Sequence, residues 1–300
     1  MPPPKKAKIV RANSAPVTYG GLDYPSAEEL NIPPTSIDGY IRCIFGRKGI
    51  GKSTLVSQFP KSLTLMFEPR RRNLKIRQVN IQKVTAQQIM DGAPDVFSQV
   101  THTVDKWIED ETINNLNFDS VDIFYECCYH HVCAQNKAAS PADAGKSGPD
   151  IWIQIRDTWA VFFDTLAGTR LGINLVSHMK SRESEEIDGG KYQVRSPSCS
   201  PACLLYIKQA ADLIFFYGIL DGKRAMQIRD DVGSAEVAVG PQSTFLQPDG
   251  KEIFYLNMPS LIDKETGYDR LSKAFNNECW DLYTPEENRS VPKPKGPPKR

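Results

Sequence analysis

A chain of 300 residues, 40% hydrophobic and 24% charged, has material for one large soluble domain with a sizeable core. Lys and Arg total 37 against 36 Asp and Glu, so the whole chain is no polycation, and any contact with nucleic acid must come from local clusters. Seven cysteines, an odd number with no secretory signal pattern ahead of them, speak against a disulfide scaffold and for a reducing cytosol, and no apolar run approaches the roughly 20 residues of a membrane span.

Residues 1–34 open with Pro2-Pro3-Pro4-Lys5-Lys6-Ala7-Lys8, a basic, proline-rich composition expected to form a disordered leader. The folded domain is expected over residues 35–285. Its first strong signal is the apolar, β-branched run from Gly39 to Phe45, which reads as a buried parallel strand. Gly46-Arg47-Lys48-Gly49-Ile50-Gly51-Lys52-Ser53-Thr54 follows at once. Gly, four residues, then Gly-Lys-Ser/Thr is the P-loop pattern. Its glycines turn backbone N–H groups toward phosphates, its lysine reaches the β/γ oxygens, and its hydroxyl holds Mg²⁺. A helix start through Phe59, stopped by Pro60, completes a strand–loop–helix unit suited to ATP with Mg²⁺.

Three further strand ends carry chemistry. Ser62 to Phe67 reads as a strand ending at Glu68, a candidate to orient or deprotonate the attacking water, or else a strand-end carboxylate paired with Arg70, Arg71 or Arg72. After a strand at 78–84 and an amphipathic helix at 93–111, the segment 113–122 should supply the acidic group of the metal site, Asp119 first and Asp122 in reserve. Three asparagines make it a poor buried strand, so it is expected to be short or near an edge. Gly172 to His178 is the third, with His178 placed to hydrogen-bond a γ-phosphate. Met179 to Gly190 is polar and glycine-ended and reads as a mobile loop.

Cys127, Cys128, His130, His131 and Cys133 lie on one expected helix, 122–136, where structural zinc normally joins two separated ligand pairs, so core thiols are the expected reading. A second helix is predicted over 150–167, and another from Ser200-Pro201 to about Ala211. Residues 213–217 and 223–229 flank Leu220-Asp221-Gly222 as a hairpin, whose Lys223, Arg224 and Arg229 could serve a neighbouring copy as a trans finger. A short strand at 252–256, a helix at 268–282 and a basic, proline-rich tail at 286–300 end the chain.

Several of these pieces together resemble a family. Phe59-Pro60-Lys61 before the strand to Glu68, Asp119-Ser120-Val121-Asp122 running into Tyr125-Glu126 and Val132-Cys133, then Gly145-Lys146, Trp152, Arg156 and Ser177-His178-Met179-Lys180 are similar to the phage-encoded, core-only RecA-like ATPases of the Sak-type single-strand annealing group. The resemblance covers about Tyr40 to Arg229. It implies an α/β RecA-like P-loop NTPase, a mostly parallel sheet with helices on both faces. It also implies DNA-stimulated ATP hydrolysis, single-stranded DNA as partner, a homo-oligomeric ring or filament, and work in recombination or replication in the cytoplasm of the infected host. By the same resemblance Lys52 and Ser53 bind phosphate and Mg²⁺, Glu68 activates water, Asp119 supports the metal and His178 senses the γ-phosphate. Residues 181–190 take the place of a DNA-contacting loop, with Lys180, Arg182 and Lys191 as its cations. Met66-Phe67 before Glu68 and the polar strand before Asp119 depart from the family pattern. They motivate the alternative of an ATP-gated protein that recruits a single-strand-binding or replication protein with little turnover; another P-loop phosphotransferase is a third possibility.

Overall fold

A computed structural model describes residues 17–19, 22–24, 34–68, 76–144, 150–185, 191–230, 235–260, 263–279 and 282. The chain divides into two compact units, Met1–Thr35 and Ser36–Arg300. In the first, β1 (Val17–Tyr19) pairs antiparallel with β2 (Leu22–Tyr24), with Tyr19 opposite Leu22. A hairpin thus lies within the expected leader. β-branched and aromatic residues on either side of Gly20-Gly21 are its signal, outweighed in the reading by the basic, proline-rich start.

The second unit is built on one sheet. β3 (Ile41–Gly46), β4 (Ser62–Met66), β5 (Gln78–Asn80), β6 (Asn115–Asp119), β7 (Gly172–Glu185) and β9 (Leu213–Leu220) run parallel in the order β9-β3-β7-β6-β4-β5. β10 (Lys223–Gln227) and β12 (Tyr255–Asn257) extend it antiparallel beyond β9, β8 (Lys191–Pro197) pairs with the far half of β7, and β11 (Ala238–Val239) pairs with β9.

Alternate residues of each parallel strand face two separate cores. Cys43, Phe45, Leu65, Leu116, Phe118 and Leu175 pack with α3 (Val96–Glu109), α4 (Val121–Gln135), α5 (Ile151–Ala167) and α6 (Pro201–Ala210). Ile44, Val176 and Phe215 pack on the other face with α1 (Lys52–Ser57) and α7 (Gly267–Phe275). α2 (Ala86–Met90) is a single capped turn beside α4. Among the described residues no helix is long and apolar enough to cross a membrane.

Three expectations need correction. β6 is short, five residues, but it is not near an edge: it lies between β4 and β7, and all five of its residues are buried. Its asparagines are tolerated because their amides are hydrogen-bonded across the sheet, as set out below. The segment expected to be a mobile loop continues β7 as far as Glu185, and its return strand β8 was not foreseen, with Lys180 opposite Ser196 and Arg182 opposite Val194. A polar strand persists there because its backbone is paired even where its side chains at 181–183 are exposed. Residues 186–190 lie outside the described ones, as do the cluster Arg70-Arg71-Arg72, the Gly145-Lys146 pair and the tail at 286–300. Finally, α7 stops at Phe275, seven residues short of the expected end, because Asn277 takes up a left-handed conformation (φ 63°).

Candidate functional site

The loop between β3 and α1 sits at the C-terminal edge of the sheet, where open α/β folds bind ligands. Two of its glycines are obligatory on different grounds. Gly51 heads α1 with φ 107°, a conformation a Cβ disfavours, and no side chain caps the helix. Gly46 ends β3 so close to β9 that an added Cβ would lie 2.0 Å from the Tyr217 carbonyl oxygen.

Lys52 is 4% exposed, and its Nζ donates to the Gly46 and Arg47 carbonyls at 2.8 and 3.0 Å, which holds the ammonium over the loop. The Ser53 hydroxyl donates to the Asp119 carboxylate, both residues being buried. Two hard oxygen donors in contact suit Mg²⁺. Bound there, the ion would neutralise charge on the β- and γ-phosphates. Glu68 lies two residues beyond the end of β4, and its carboxylate accepts from His178 Nε2 across the top of the sheet. The structure therefore brings Lys52, Ser53, Asp119, Glu68 and His178 to one edge, with Gly46 laterally opposite His178 and Met66 opposite Asp119.

Asp122, the reserve metal ligand, is used differently. Oδ1 accepts from the Ser177 hydroxyl (2.7 Å) and the Cys199 thiol (3.0 Å), and Oδ2 from the His178 backbone N–H (3.1 Å) and the Ser198 hydroxyl (3.0 Å). It is a clamp that fixes the β7 residues carrying His178 and ties them to the β8–α6 turn. Sequence reasoning missed this role because its partners lie at least 55 positions away along the chain.

The other predicted residues are dispersed. Arg224 Nη1 donates to the Ile50 carbonyl of its own loop and reaches the Tyr217 hydroxyl at 3.4 Å. Arg229 is held by the Thr244 carbonyl (3.0 Å) and Glu252 (3.4 Å), and Lys223 is exposed on the same hairpin. On β7, Lys180 donates to the Cys199 carbonyl (2.8 Å), and Arg182 pairs with Glu236 (2.6 Å), which also takes Lys208 (3.1 Å). Lys191 opens β8. The helix thiols are core residues: burial pushes Cys127 up to about 12 and Cys133 up to about 11, and raises Cys128 as well. His131 pairs with Asp95, and among the described residues no three His, Cys, Asp or Glu are grouped to hold a metal.

Beneath the loop runs a feature the sequence reading passed over. Arg42, Asn174, Asn117 and Thr64 stand side by side on β3, β7, β6 and β4, all 0% exposed, on the α1 face. Asn174 donates to Asn117 (2.7 Å), whose amide donates to Thr64 (2.9 Å) and to the Val56 carbonyl near the end of α1 (3.2 Å). Arg42 donates to Asn115 (2.7 Å) and the Ile37 carbonyl and lies 4.3 Å from the Phe59 ring centroid, while Asn115 donates to the Pro60 carbonyl (2.9 Å). Burial lowers the Arg42 pKa to about 9, opposed by Asp38, Tyr268 and Asp212, so it stays charged at neutral pH. The row anchors the far end of the helix whose near end carries Lys52 and Ser53. A charged residue inside an apolar strand, at Arg42, was its available signal. Arg42→Ala is expected to cost about 3 kcal/mol, by stranding the Asn115 and Ile37 acceptors and opening a cavity. Thermal unfolding would check this, and an unchanged midpoint would contradict it.

A loop that presents a lysine, a serine and uncapped helix N–H groups beside an acidic strand end defines a P-loop ATPase-type domain. The profile of the AAA domain matches residues 38–234, and the chain belongs to that family. Its α/β architecture, a mostly parallel sheet with helices on both faces, is the one expected from sequence. Solved structures similar to it include a KaiC-like protein from the hyperthermophilic archaeon Pyrococcus horikoshii OT3, at 13% identity over 68% of this chain and 90% of that one, TM-score 0.37. Another is a prototypical ATPase from the type III secretion system of pathogenic bacteria, at 13% identity over 60% of this chain and 52% of that one, TM-score 0.35. A search of curated proteins finds no match.

Proposed function

We propose that the protein is a Mg²⁺-dependent ATPase that binds single-stranded DNA and supports annealing or strand exchange in phage recombination or replication, acting as a homo-oligomer in the cytoplasm of the infected host. The observation that carries the reading is the continuity of β7. One strand bears His178 at the nucleotide edge and, two and four residues on, the cations Lys180 and Arg182. A γ-phosphate that drew His178 or Glu68 out of their mutual hydrogen bond would act on a strand clamped by Asp122 and leading straight to those cations. Glu68 is the group placed to orient and deprotonate water, while Lys52 holds the phosphates.

Phosphate release measured with and without single-stranded DNA, alongside mass determination with a non-hydrolysable nucleotide, tests it. DNA is expected to raise turnover severalfold and the nucleotide to promote assembly. Absence of both nucleotide-dependent DNA binding and DNA-stimulated release would sink the proposal. The engagement of Glu68 by His178 favours a second reading, an ATP-gated recruiter of a single-strand-binding or replication protein. Turnover at background with tight, ATP-dependent partner binding would select it.

A further inference from the structure

On the sheet face opposite α1, the clamp residue Asp122 also helps to form the floor of a cavity of about 670 Å³, together with Ser198 and Cys199. Its walls are aromatic, formed by Tyr125, Tyr129 and Trp152, with His130 beside them. Trp152 is 59% exposed, a large apolar surface to leave in water, and its ring centroid lies 5.8 Å from that of Tyr129 with the planes inclined by 56°. His130 meets Tyr129 edge-on at 5.1 Å, and its Nδ1 has no hydrogen-bond partner among the described residues. Burial, reinforced by Lys83, lowers the His130 pKa, so the ring is neutral at pH 7.

The acidic groups here are already matched. Asp122 accepts four hydrogen bonds, and Glu126 is paired with Lys83. A cation is close as well, since the Lys180 ammonium sits on the carbonyl of the floor residue Cys199. The occupant that suits such a cavity is flat, aromatic on both faces, polar at its edge and attached to a negative backbone.

We propose that this cavity receives an unstacked base of single-stranded nucleic acid, which stacks on Trp152 between the walls made by Tyr125 and Tyr129. The inference rests on the single-stranded DNA reading of the function given above. Bases within a duplex are committed to their neighbours, so a stacking cavity of this kind selects single strands without reading sequence. Its floor also gives the base a route to the nucleotide edge. Asp122 holds Ser177 by its hydroxyl and His178 by its N–H, and these adjacent residues face opposite sides of the sheet.

The test uses the full chain with a non-hydrolysable ATP analogue and a fluorescent oligothymidylate, read by anisotropy. Trp152→Ala and Tyr129→Ala are expected to weaken binding roughly 10- to 100-fold, the range for loss of one stacked base. The dependence of log affinity on log salt should keep its slope, because no phosphate contact is removed. Trp152→Phe should recover most of the affinity, and an oligonucleotide carrying 2-aminopurine should be quenched by the wild type but not by Trp152→Ala. The exposure of Trp152 lets its variants fold, which matched far-UV circular dichroism would verify. If the wild type binds DNA while both alanine variants bind equally well, the cavity assignment is overturned and the DNA reading stands. If the wild type binds no single strand, both fall.

Discussion

Glu68→Gln should bind ATP with wild-type affinity and turn it over roughly 10²- to 10⁴-fold more slowly, the usual contribution of a positioned general base. Glutamine keeps the size of the side chain and can still accept from His178 Nε2 through its amide oxygen, so the link across the strand ends survives. What is lost is the capacity to take a proton from water. Lys52 and the start of α1, the groups proposed to hold the phosphates, are separate from this side chain, so binding and turnover should part cleanly. Single-turnover phosphate release and equilibrium binding of a fluorescent nucleotide on the same preparation would measure both. Normal turnover would pass the role to another carboxylate, and Asp122 would be a poor successor because its oxygens are occupied by Ser177, His178, Ser198 and Cys199.

The strand ends that converge on this edge were legible because each follows a short apolar run, and a parallel strand places its last residue beside those of its neighbours. Glu68, Asp119 and His178 could thus be placed by register before any contact was known. Polarity was the harder signal. Asn115 and Asn117 read as marks of a short or peripheral strand; β6 is short, yet it lies inside the sheet with both amides hydrogen-bonded. The intrinsic cost of a buried amide is readable from sequence, but its partners, Val56, Thr64 and Pro60, are more than fifty residues away, and only the fold supplies them. The same limit applies to β8. A run of charged and small residues from Met179 to Gly190 reads as a loop unless its pairing partner at 191–197 is known. Arg224 shows the same dependence on the fold: the antiparallel turn at Asp221-Gly222 brings it to the Ile50 carbonyl of the glycine loop, a contact that 174 positions of chain separation hide from the sequence.

Lys52→Ala should weaken ATP binding by on the order of 10²- to 10³-fold, the value of two charge-assisted hydrogen bonds to phosphate in a sheltered site. The geometry gives the substitution this weight. Nζ is buried, its reach already spans the loop from Gly46 to Arg47, and two arginines packed nearby are committed elsewhere. Arg224 is held on the Ile50 carbonyl from outside the loop, and Arg42 belongs to the buried row across the sheet, with its guanidinium on Ile37 and Asn115. The fold should survive, because the helix that carries Lys52 is anchored at its other end by Asn115 and Asn117, which the substitution leaves untouched. Equilibrium titration of the nucleotide together with a thermal unfolding curve would separate the two effects. Unchanged affinity would show that the glycine loop is not the phosphate site. Lost affinity with a collapsed melting midpoint would mean that Lys52 serves the fold as much as the ligand. The expected result is lost affinity at an intact midpoint, and with it the disappearance of any nucleotide-dependent change in the region of His178, Lys180 and Arg182, which lie on a single strand.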